Sequence, residues 1–274
     1  VGASEVLCVC STTSTFAPRV PDSVDEIAVL CAELEVGHVI NNAYGLQCSK
    51  CSHLVETACR KGRVDAFVQS TDKNFLVPVG GAVVASAKPE LVEKVSSIYP
   101  GRASMSPILD VFITLLSLGE AGFKRLLQQR KENAAWFQEH LKTVAERNGL
   151  RLLRCPANKI SFAIDLQPLA AADGSVDDLT FLGSALFTRR VSGPRVVLCR
   201  KATDAEVSAG TTGWYRKKID GVSFDNYGGH SADYPISYLT AACAIGVERA
   251  ELETFLERFE LVVREYKAKS AQKQ

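Results

Sequence analysis

Short apolar runs that suit β-strands alternate with helical patterns over the first 85 residues, and this alternation limits the fold more than any other feature of the sequence. The predicted strands cover residues 5–10, 38–40, 64–69 and 82–85. Between them, residues 22–34 carry apolar side chains on one helical stripe, and residues 52–61 also suit a helix. Such alternation is typical of an α/β protein in which helices cover both faces of a mostly parallel sheet.

The pattern changes after about residue 115. The elements predicted from there and just before are a helix after Pro89, a helix at 107–147 that breaks at Gly119 or Gly122, strands at 160–164 and 195–198, and helices at 238–248 and from Glu251 onward. We therefore predict two units. Residues 1–115 have the parallel α/β organisation, and residues 116–274 form a small α+β domain at the carboxyl-terminal end.

The composition predicts a soluble globular protein and gives no global sign of a polyanion-binding surface. Among the 274 residues, 46% are hydrophobic, and 32 basic against 31 acidic side chains leave a net charge of +1. No run approaches the roughly 20 apolar residues that span a bilayer, and the amino terminus lacks a secretory pattern. We therefore expect a cytoplasmic protein without membrane contact. Because the chain begins at Val1 and its only methionine is Met105, we also expect a fragment or a processed product.

The nine cysteines are odd in number and lie mostly in apolar segments, which favours reduced thiols over a disulfide framework. The segment Cys48-Ser-Lys-Cys51, with His53 nearby, has a spacing that is found in zinc sites. No second, well-spaced pair of ligands accompanies it. We therefore predict no metal site.

Lys73 is the first candidate catalytic residue. It follows the apolar run at 64–68 and precedes the Gly80-Gly81 turn, so it lies at the carboxyl end of a predicted strand. In an α/β sheet this edge forms a polar crevice, where a lysine amine can form a Schiff base with a carbonyl compound. An exposed loop lysine is the alternative. The spacing Ser70-x-x-Lys73 also occurs in serine acylases with a lysine base, but their partner motifs Lys-Thr-Gly and Ser-Asp-Asn are missing.

Asn41 and Arg102 are the next candidates. Asn41 closes the second predicted strand, on the same edge as Lys73. In an enzyme that uses pyridoxal phosphate, the nitrogen of the pyridine ring needs a partner at this edge, usually a carboxylate. With an amide as partner, the cofactor is a weaker electron sink. Asn41 can also serve only a strand-to-loop turn. Arg102 precedes a helix start, where its planar donors suit a phosphate or carboxylate, although a surface ion pair is an equal alternative.

Five long motifs, in order along the chain, resemble the O-phosphoseryl-tRNA(Sec) selenium transferase family. They are STTSTFAPRVPD at 11–22, NNAYG at 41–45, DKNFLVPVGG at 72–81, YPGRAS at 99–104 and LFTRRVSG at 186–193. The resemblance covers nearly the whole chain, more loosely at 165–185 and 200–225. It implies a fold type I pyridoxal phosphate-dependent transferase. Residues 1–115 then correspond to the carboxyl-terminal part of the large cofactor-binding domain, and residues ahead of Val1 are absent.

The resemblance also implies roles for single residues. Lys73 matches the Schiff-base lysine, and Asn41 matches the amide that faces the pyridine nitrogen. Arg102 matches the arginine that grips the phosphate of the phosphoseryl group, and Arg189 matches the arginine that meets the acceptor end of the tRNA. His230, which aligns with a family His-Thr pair, is assigned no chemistry.

The implied reaction converts O-phosphoseryl-tRNA(Sec) to selenocysteinyl-tRNA(Sec) with pyridoxal 5'-phosphate as cofactor and selenophosphate as selenium donor. The resemblance further implies a homo-oligomer, a tetramer in the family. A non-catalytic alternative also stands, because the missing amino-terminal half of the family supplies much of the cofactor phosphate cup and most contacts to the tRNA body. On that alternative the chain is an inert fragment that retains only folding, tRNA or subunit contacts.

Overall fold

Two β-sheets organise the part of the chain that the structure describes. The computed structural model describes residues 2–16, 19–99, 104–172, 174–200, 216–225 and 235–272. Each of the two sheets has four strands. A separate two-stranded hairpin consists of β8 (Arg216–Ile219) and β9 (Val222–Asp225).

The first sheet is mostly parallel, which confirms the α/β prediction. Strands β1 (Cys8–Thr12), β2 (Gly37–Asn41) and β3 (Ala66–Ser70) run parallel, and β4 (Ala82–Ala85) pairs with β3 in the antiparallel sense. Parallel strands need crossover connections, which helices supply here. All three parallel strands therefore end at the same edge of the sheet.

Two helices make these crossovers and share one apolar core with the sheet. They are α1 (Val24–Glu33) and α2 (Ser49–Lys61). Gly62, which ends α2, allows the close approach of the two helices, because a Cβ atom at this position would lie 2.3 Å from the carbonyl oxygen of Ala28. The buried members of this core are Val24, Ala28, Ile40, Val55, Ala58 and Val64.

A short helix that was not predicted follows β3 directly. This helix, α3 (Thr71–Phe75), contains Lys73, which the sequence had suggested for a strand-to-loop connection. It ends at Leu76, whose φ of 58° lies in the left-handed region. The chain then returns through β4 to α4 (Pro89–Ile98).

The second sheet is antiparallel, as expected for an α+β unit. Its strands are β5 (Arg151–Leu152), β6 (Ser161–Asp165), β7 (Arg195–Val197) and β10 (Tyr238–Ala242). The prediction of a helix at 238–248 was wrong, because Tyr238–Ala242 is the strand between β6 and β7. A strand that is buried on both faces shows no apolar–polar alternation, so its apolar, alanine-rich sequence looked helical.

Three helices cover this sheet: α5 (Ser106–Arg147), α6 (Thr180–Thr188) and α7 (Arg249–Gln272). The break predicted at Gly119 or Gly122 lies at Gly119, whose φ of 60° and ψ of 176° interrupt the helical geometry of α5. Helix α6 was not predicted. The boundary proposed at residues 115/116 falls within α5 and stays a prediction.

The first part of α5 exposes an apolar face. Among the described residues, α5 is the one helix that is long and apolar enough to cross a bilayer, judged by length and composition. In its most apolar stretch, 6% of the residues are buried. Length and composition alone are weak evidence for a membrane span, and Gly119 interrupts this helix. Its exposed apolar side chains are Ile108, Leu109, Phe112, Ile113, Leu115 and Leu116.

Candidate active site

The carboxyl edge of the parallel sheet brings two of the predicted site residues together. Asn41 is the last residue of β2, and it lies opposite Val68 of the neighbouring strand β3. Strand β3 ends at Ser70, and Lys73 follows in the first turn of α3. This edge is where α/β proteins usually bind their ligands.

The amine of Lys73 is held by three neighbours. Its Nζ donates to Ser70 Oγ at 3.2 Å and to Asp72 Oδ2 at 3.5 Å. It also lies 5.5 Å from the ring centroid of Tyr44. The Lys73 side chain is 33% exposed, so the amine is fixed in position and still open to a ligand from solvent.

The charge at this edge is set by Asp72. Burial opposes its ionisation, but the hydrogen bond from Ser70 and the positive charge of Lys73 outweigh burial and hold the pKa of Asp72 below its usual value. Burial, together with the charge of Asp72, raises the pKa of Tyr44. Near neutral pH the amine therefore faces a carboxylate and an uncharged phenol.

Ser70 does not have the arrangement of an acylase nucleophile. Its hydroxyl donates to Asp72 and accepts from Lys73, so the serine proton points away from the lysine. A lysine base would have to accept that proton. The geometry therefore gives no support to the serine acylase alternative.

A buried amide, which was not among the predicted residues, fixes the lysine turn. Asn74 is fully buried, and its Nδ2 donates to the carbonyl oxygens of Ala43 at 2.8 Å and Ser70 at 2.7 Å. Its Oδ1 accepts from the backbone N–H of Gln47 at 3.3 Å. One side chain thus ties the end of β3 to the turn after β2. Its position next to Lys73 is the only sequence signal that could have suggested it.

Gln47 extends this support to the second sheet. Its Nε2 donates to the carbonyl oxygen of Lys73 at 2.9 Å, and its Oε1 accepts from the backbone N–H of Ile245 at 2.8 Å. Gln47 is buried, its bond to Ile245 lies away from water, and its bond to Lys73 is partly buried. No local sequence pattern predicts this role of Gln47, because its partner Ile245 lies 198 positions further along the chain.

Asn41 serves a turn with one half of its amide. Its side chain is exposed, and its Oδ1 accepts from the backbone N–H of Ala43 at 3.0 Å. Within the described residues the Nδ2 group has no hydrogen-bond partner, so it can donate to a ligand at the sheet edge. The turn explanation and the ligand explanation therefore use different atoms.

Two residues discussed from sequence lie outside the described part of the chain. They are Arg102 and His230. Residues 104 and 105 lead directly into α5, whose second residue is Pro107. The phosphate-binding role of Arg102 stays a prediction.

Arg189 lies on the second unit, immediately after α6. Its guanidinium bonds to Glu265 Oε2 at 2.7 Å and to the carbonyl oxygen of Ala185 at 3.1 Å. The Arg189 side chain is 32% exposed and borders a groove of about 360 Å³ between α6 and α7. The groove also contains Phe181 and Tyr266. A ligand that binds Arg189 must therefore share or replace the carboxylate of Glu265.

Comparisons with known proteins agree over nearly the whole chain. Residues 1–264 match the family model described as O-phosphoseryl-tRNA(Sec) selenium transferase, SepSecS. The transferase of that name from Dictyostelium discoideum is 47% identical over 271 residues, which cover 94% of this chain and 54% of the relative. The one from Methanopyrus kandleri is 38% identical over 253 residues, which cover 92% and 51%. The chain thus spans about half the length of the curated relatives it matches.

Solved structures give the same result for the fold. The crystal structure of an archaeal O-phosphoseryl-tRNA(Sec) selenium transferase matches with a TM-score of 0.73 and 29% identity, over 93% of this chain and 51% of that one. Rice TDC, crystallised with PLP and tryptamine, matches with a TM-score of 0.58 and 15% identity, over 94% and 48%. The fold type I prediction is confirmed.

The buried amide generates a stability prediction. Asn74→Ala leaves the carbonyl oxygens of Ala43 and Ser70 without their donor. We expect a loss of about 1–3 kcal/mol in the free energy of unfolding, measured by chemical denaturation. The control is Asn41→Ala on the same edge, which removes one exposed local bond and should cost less than about 1 kcal/mol. Equal costs for the two variants would contradict the supporting role of Asn74.

Proposed function

The chain belongs to the O-phosphoseryl-tRNA(Sec) selenium transferase family, and from this premise we propose that the protein converts O-phosphoseryl-tRNA(Sec) to selenocysteinyl-tRNA(Sec). Selenophosphate would supply the selenium, and pyridoxal 5'-phosphate would be the cofactor. The observation that carries the proposal is the amine of Lys73, which is fixed at the carboxyl edge of the parallel sheet and is still 33% exposed. Because the chain spans about half of its relatives, the activity is proposed for the full-length protein.

The residues at the sheet edge fit a pyridoxal phosphate. Lys73 offers an amine for covalent attachment of the aldehyde, and Asn41 offers an N–H to the pyridine nitrogen from the neighbouring strand. When bound, the cofactor supplies an electron sink for the negative charge that develops at the α-carbon of the amino acid. No negatively charged partner for the pyridine nitrogen is needed, since an amide donates to the unprotonated ring.

Lys73 would perform the proton transfer. With the cofactor and substrate bound, the amine of Lys73 would remove the α-proton of the amino acid, and the phosphate of phosphoserine would leave from the β-carbon. The ring of Tyr44 limits where the amine can move, and Asp72 stabilises it once it is protonated. Phosphate is a good leaving group, so the weaker sink that results from Asn41 is sufficient.

The first prediction for this function concerns Lys73. Borohydride reduction of the full-length protein in the presence of pyridoxal phosphate should attach the cofactor to Lys73, because an amine at the cofactor aldehyde is trapped by reduction. Peptide mass mapping measures the label. Lys73→Arg should lose it, whereas Lys88→Arg, which changes another partly exposed lysine near an aspartate, should keep it. An unlabelled Lys73 together with retained tRNA binding would favour the non-catalytic alternative.

The second prediction concerns selection of the phosphorylated substrate by Arg102. Arg102→Ala should lower kcat/KM for phosphoseryl-tRNA by about 10–100-fold in the full-length enzyme, because charged hydrogen bonds to the phosphate are lost. Turnover assays with phosphoseryl-tRNA and binding assays with seryl-tRNA separate recognition of the phosphate from recognition of the tRNA. Seryl-tRNA should bind the variant no more weakly than the parent enzyme. Unchanged turnover of phosphoseryl-tRNA would contradict the assignment.

We also propose that Arg189 contacts the acceptor end of the tRNA. The support is its partly exposed guanidinium beside a groove with aromatic side chains, which suit stacking on unpaired bases. In the absence of RNA, Glu265 pairs with the guanidinium of Arg189, so the arginine charge is not left unpaired. Binding of RNA would then exchange one anionic partner for another.

The third prediction tests this contact. Arg189→Ala should weaken tRNA binding and lower the slope of log affinity against log salt by about 0.7–0.9, as expected for one lost phosphate contact. Glu265→Gln should strengthen binding, because it removes the competing charge. Filter binding over a salt series measures both effects. Arg147→Ala is the control. Arg147 pairs with Glu260, which lies on α7 as Glu265 does. This variant should change the slope less than Arg189→Ala.

Two further parts of the proposal concern assembly and location. We propose a homo-oligomer, a tetramer by resemblance to the family, that works in the cytoplasm. The exposed apolar side chains on the first part of α5 support an oligomer, because such a face is costly in water. The nine free cysteines support a reducing compartment.

A further inference from the structure

The Cys48-Ser-Lys-Cys51 segment has a structural setting that the proposed function does not use. It begins α2 in the β2–α2–β3 unit, with Cys48 at the N-cap and Cys51 in the first turn. The backbone N–H of Cys51 donates to the carbonyl oxygen of Cys48 at 2.9 Å. A Cys-x-x-Cys pair at the start of a helix in such a unit is the arrangement of thiol–disulfide redox sites.

The two cysteine side chains lie in one buried cluster. Cys48 and Cys51 share this cluster with Ile160, and Tyr44 packs against it. Positions three residues apart in a helical turn have Cα atoms about 5–6 Å apart, which is within the range of a disulfide. Little backbone movement is therefore needed to join them.

A buried arginine favours the charged form of Cys48. Arg130 is 5% exposed, and within the described residues it has no carboxylate partner and its Nε has no hydrogen bond. A buried charge normally needs an opposite charge. The neighbouring Cys51 side chain, the backbone N–H groups of the first helical turn and the positive charge of Arg130 outweigh burial and lower the pKa of Cys48 to about 5. Arg130 Nη1 donates to the carbonyl oxygen of Lys159 at 2.9 Å, and the charge of the guanidinium favours the ionised form of Cys48.

Three other thiols shift in the opposite direction. Burial raises the pKa of Cys31, of the half-buried Cys59 and of Cys243, in the last case against the positive charge of Arg130. Zinc does not explain the pair either, because His53 is exposed and pairs with Glu56 at 3.8 Å. Over the described ranges, no three metal-binding side chains gather at one place.

We propose that Cys48 and Cys51 form a redox-active dithiol that a small peroxide converts to a disulfide. The Cys48 thiolate attacks one oxygen of hydrogen peroxide, the O–O bond breaks, and a sulfenic acid and hydroxide form. The Cys51 sulfur then displaces the hydroxyl group, and its proton leaves with it as water. Two thiols and one peroxide give one disulfide and two waters. The burial of both side chains favours a small oxidant over a bulky disulfide.

Disulfide formation would act on the lysine turn. In the dithiol, Cys51 Sγ donates to the carbonyl oxygen of Thr13 at 3.8 Å, and this bond is lost on oxidation. Cys48 directly follows Gln47, whose side chain holds the carbonyl oxygen of Lys73. Gly45 lies so close that an added Cβ atom would be 3.0 Å from the Cys51 Cβ, so the turn has little room to adjust. This consequence rests on the proposed role of Lys73, whereas the disulfide itself does not.

Thiol mapping after peroxide treatment tests the proposal on the whole chain. Trypsin cuts after Lys50, between the two cysteines, so only a disulfide keeps the peptide 20–50 joined to the peptide 51–60. Fragmentation of the joined peptides distinguishes Cys48–Cys51 from bonds to Cys31 or Cys59. We expect the Cys48–Cys51 bond at peroxide concentrations that leave the exposed Cys10 reduced. Its rate of formation should change by less than about twofold between pH 8 and pH 6, whereas an ordinary thiol slows about 100-fold.

Variants assign the order of the steps. In Cys51→Ser, the sulfenic acid should persist on Cys48 and react with dimedone, and in Cys48→Ser, Cys51 should stay unlabelled. Cys59→Ser, the control on the same helix, should form the disulfide as the parent does. Oxidation of Cys10 with both pair cysteines still reduced in the parent protein would overturn the proposal, and so would the pH profile of an ordinary thiol.

A last measurement separates the redox pair from the proposed enzyme function. Oxidised protein should show at least about a threefold lower yield of borohydride trapping at Lys73 than reduced protein, restored by a reductant. A disulfide that leaves trapping unchanged would overturn the coupling to the lysine turn. No trapping even in the reduced protein, with the disulfide formed, would count against the role of Lys73 and not against the redox pair.

Discussion

The buried side chain of Asn74 is the interaction on which the rest of the site depends. It donates to Ala43 in the turn after β2 and to Ser70 at the end of β3, and it accepts from the backbone N–H of Gln47. An amide has donors and an acceptor, so one residue satisfies backbone groups of both kinds where water does not reach. The parallel sheet brings the strand ends to one edge, and Asn74 then fixes the turn that carries Lys73.

Charge is arranged in two separate pairs around this turn. On the exposed side, Asp72 faces the amine of Lys73. On the buried side, the positive charge of Arg130, which belongs to α5, helps to lower the pKa of Cys48. Both pairs are adjacent in sequence to residues that support the turn, Asn74 and Gln47.

The second sheet takes part in building the site at the edge of the first. Gln47 accepts from the backbone N–H of Ile245, just beyond β10, and Ile160 packs against the two cysteines. Ser161 in β6 donates to the carbonyl oxygen of Phe16 at 3.0 Å. Residues 238–242 form the buried strand β10, and this strand positions the following segment, whose Ile245 reaches Gln47. The two sheets are thus linked through the segments that follow the strands of the first sheet at the candidate site.

The sequence by itself determined the parallel α/β half, a helix break at Gly119 or Gly122, and the position of Lys73 and Asn41 at one sheet edge, because strand and helix periodicity are local properties of the chain. Its motifs also indicated the family. Only the tertiary structure decided that 238–242 is a strand, that Asn74 and Gln47 support the lysine turn, and that Arg189 is paired with Glu265. The physical reason is that these roles depend on partners far along the chain. A local pattern tells which face of an element is apolar, but not which carbonyl oxygen, carboxylate or thiolate will lie opposite a given side chain once the sheets have packed.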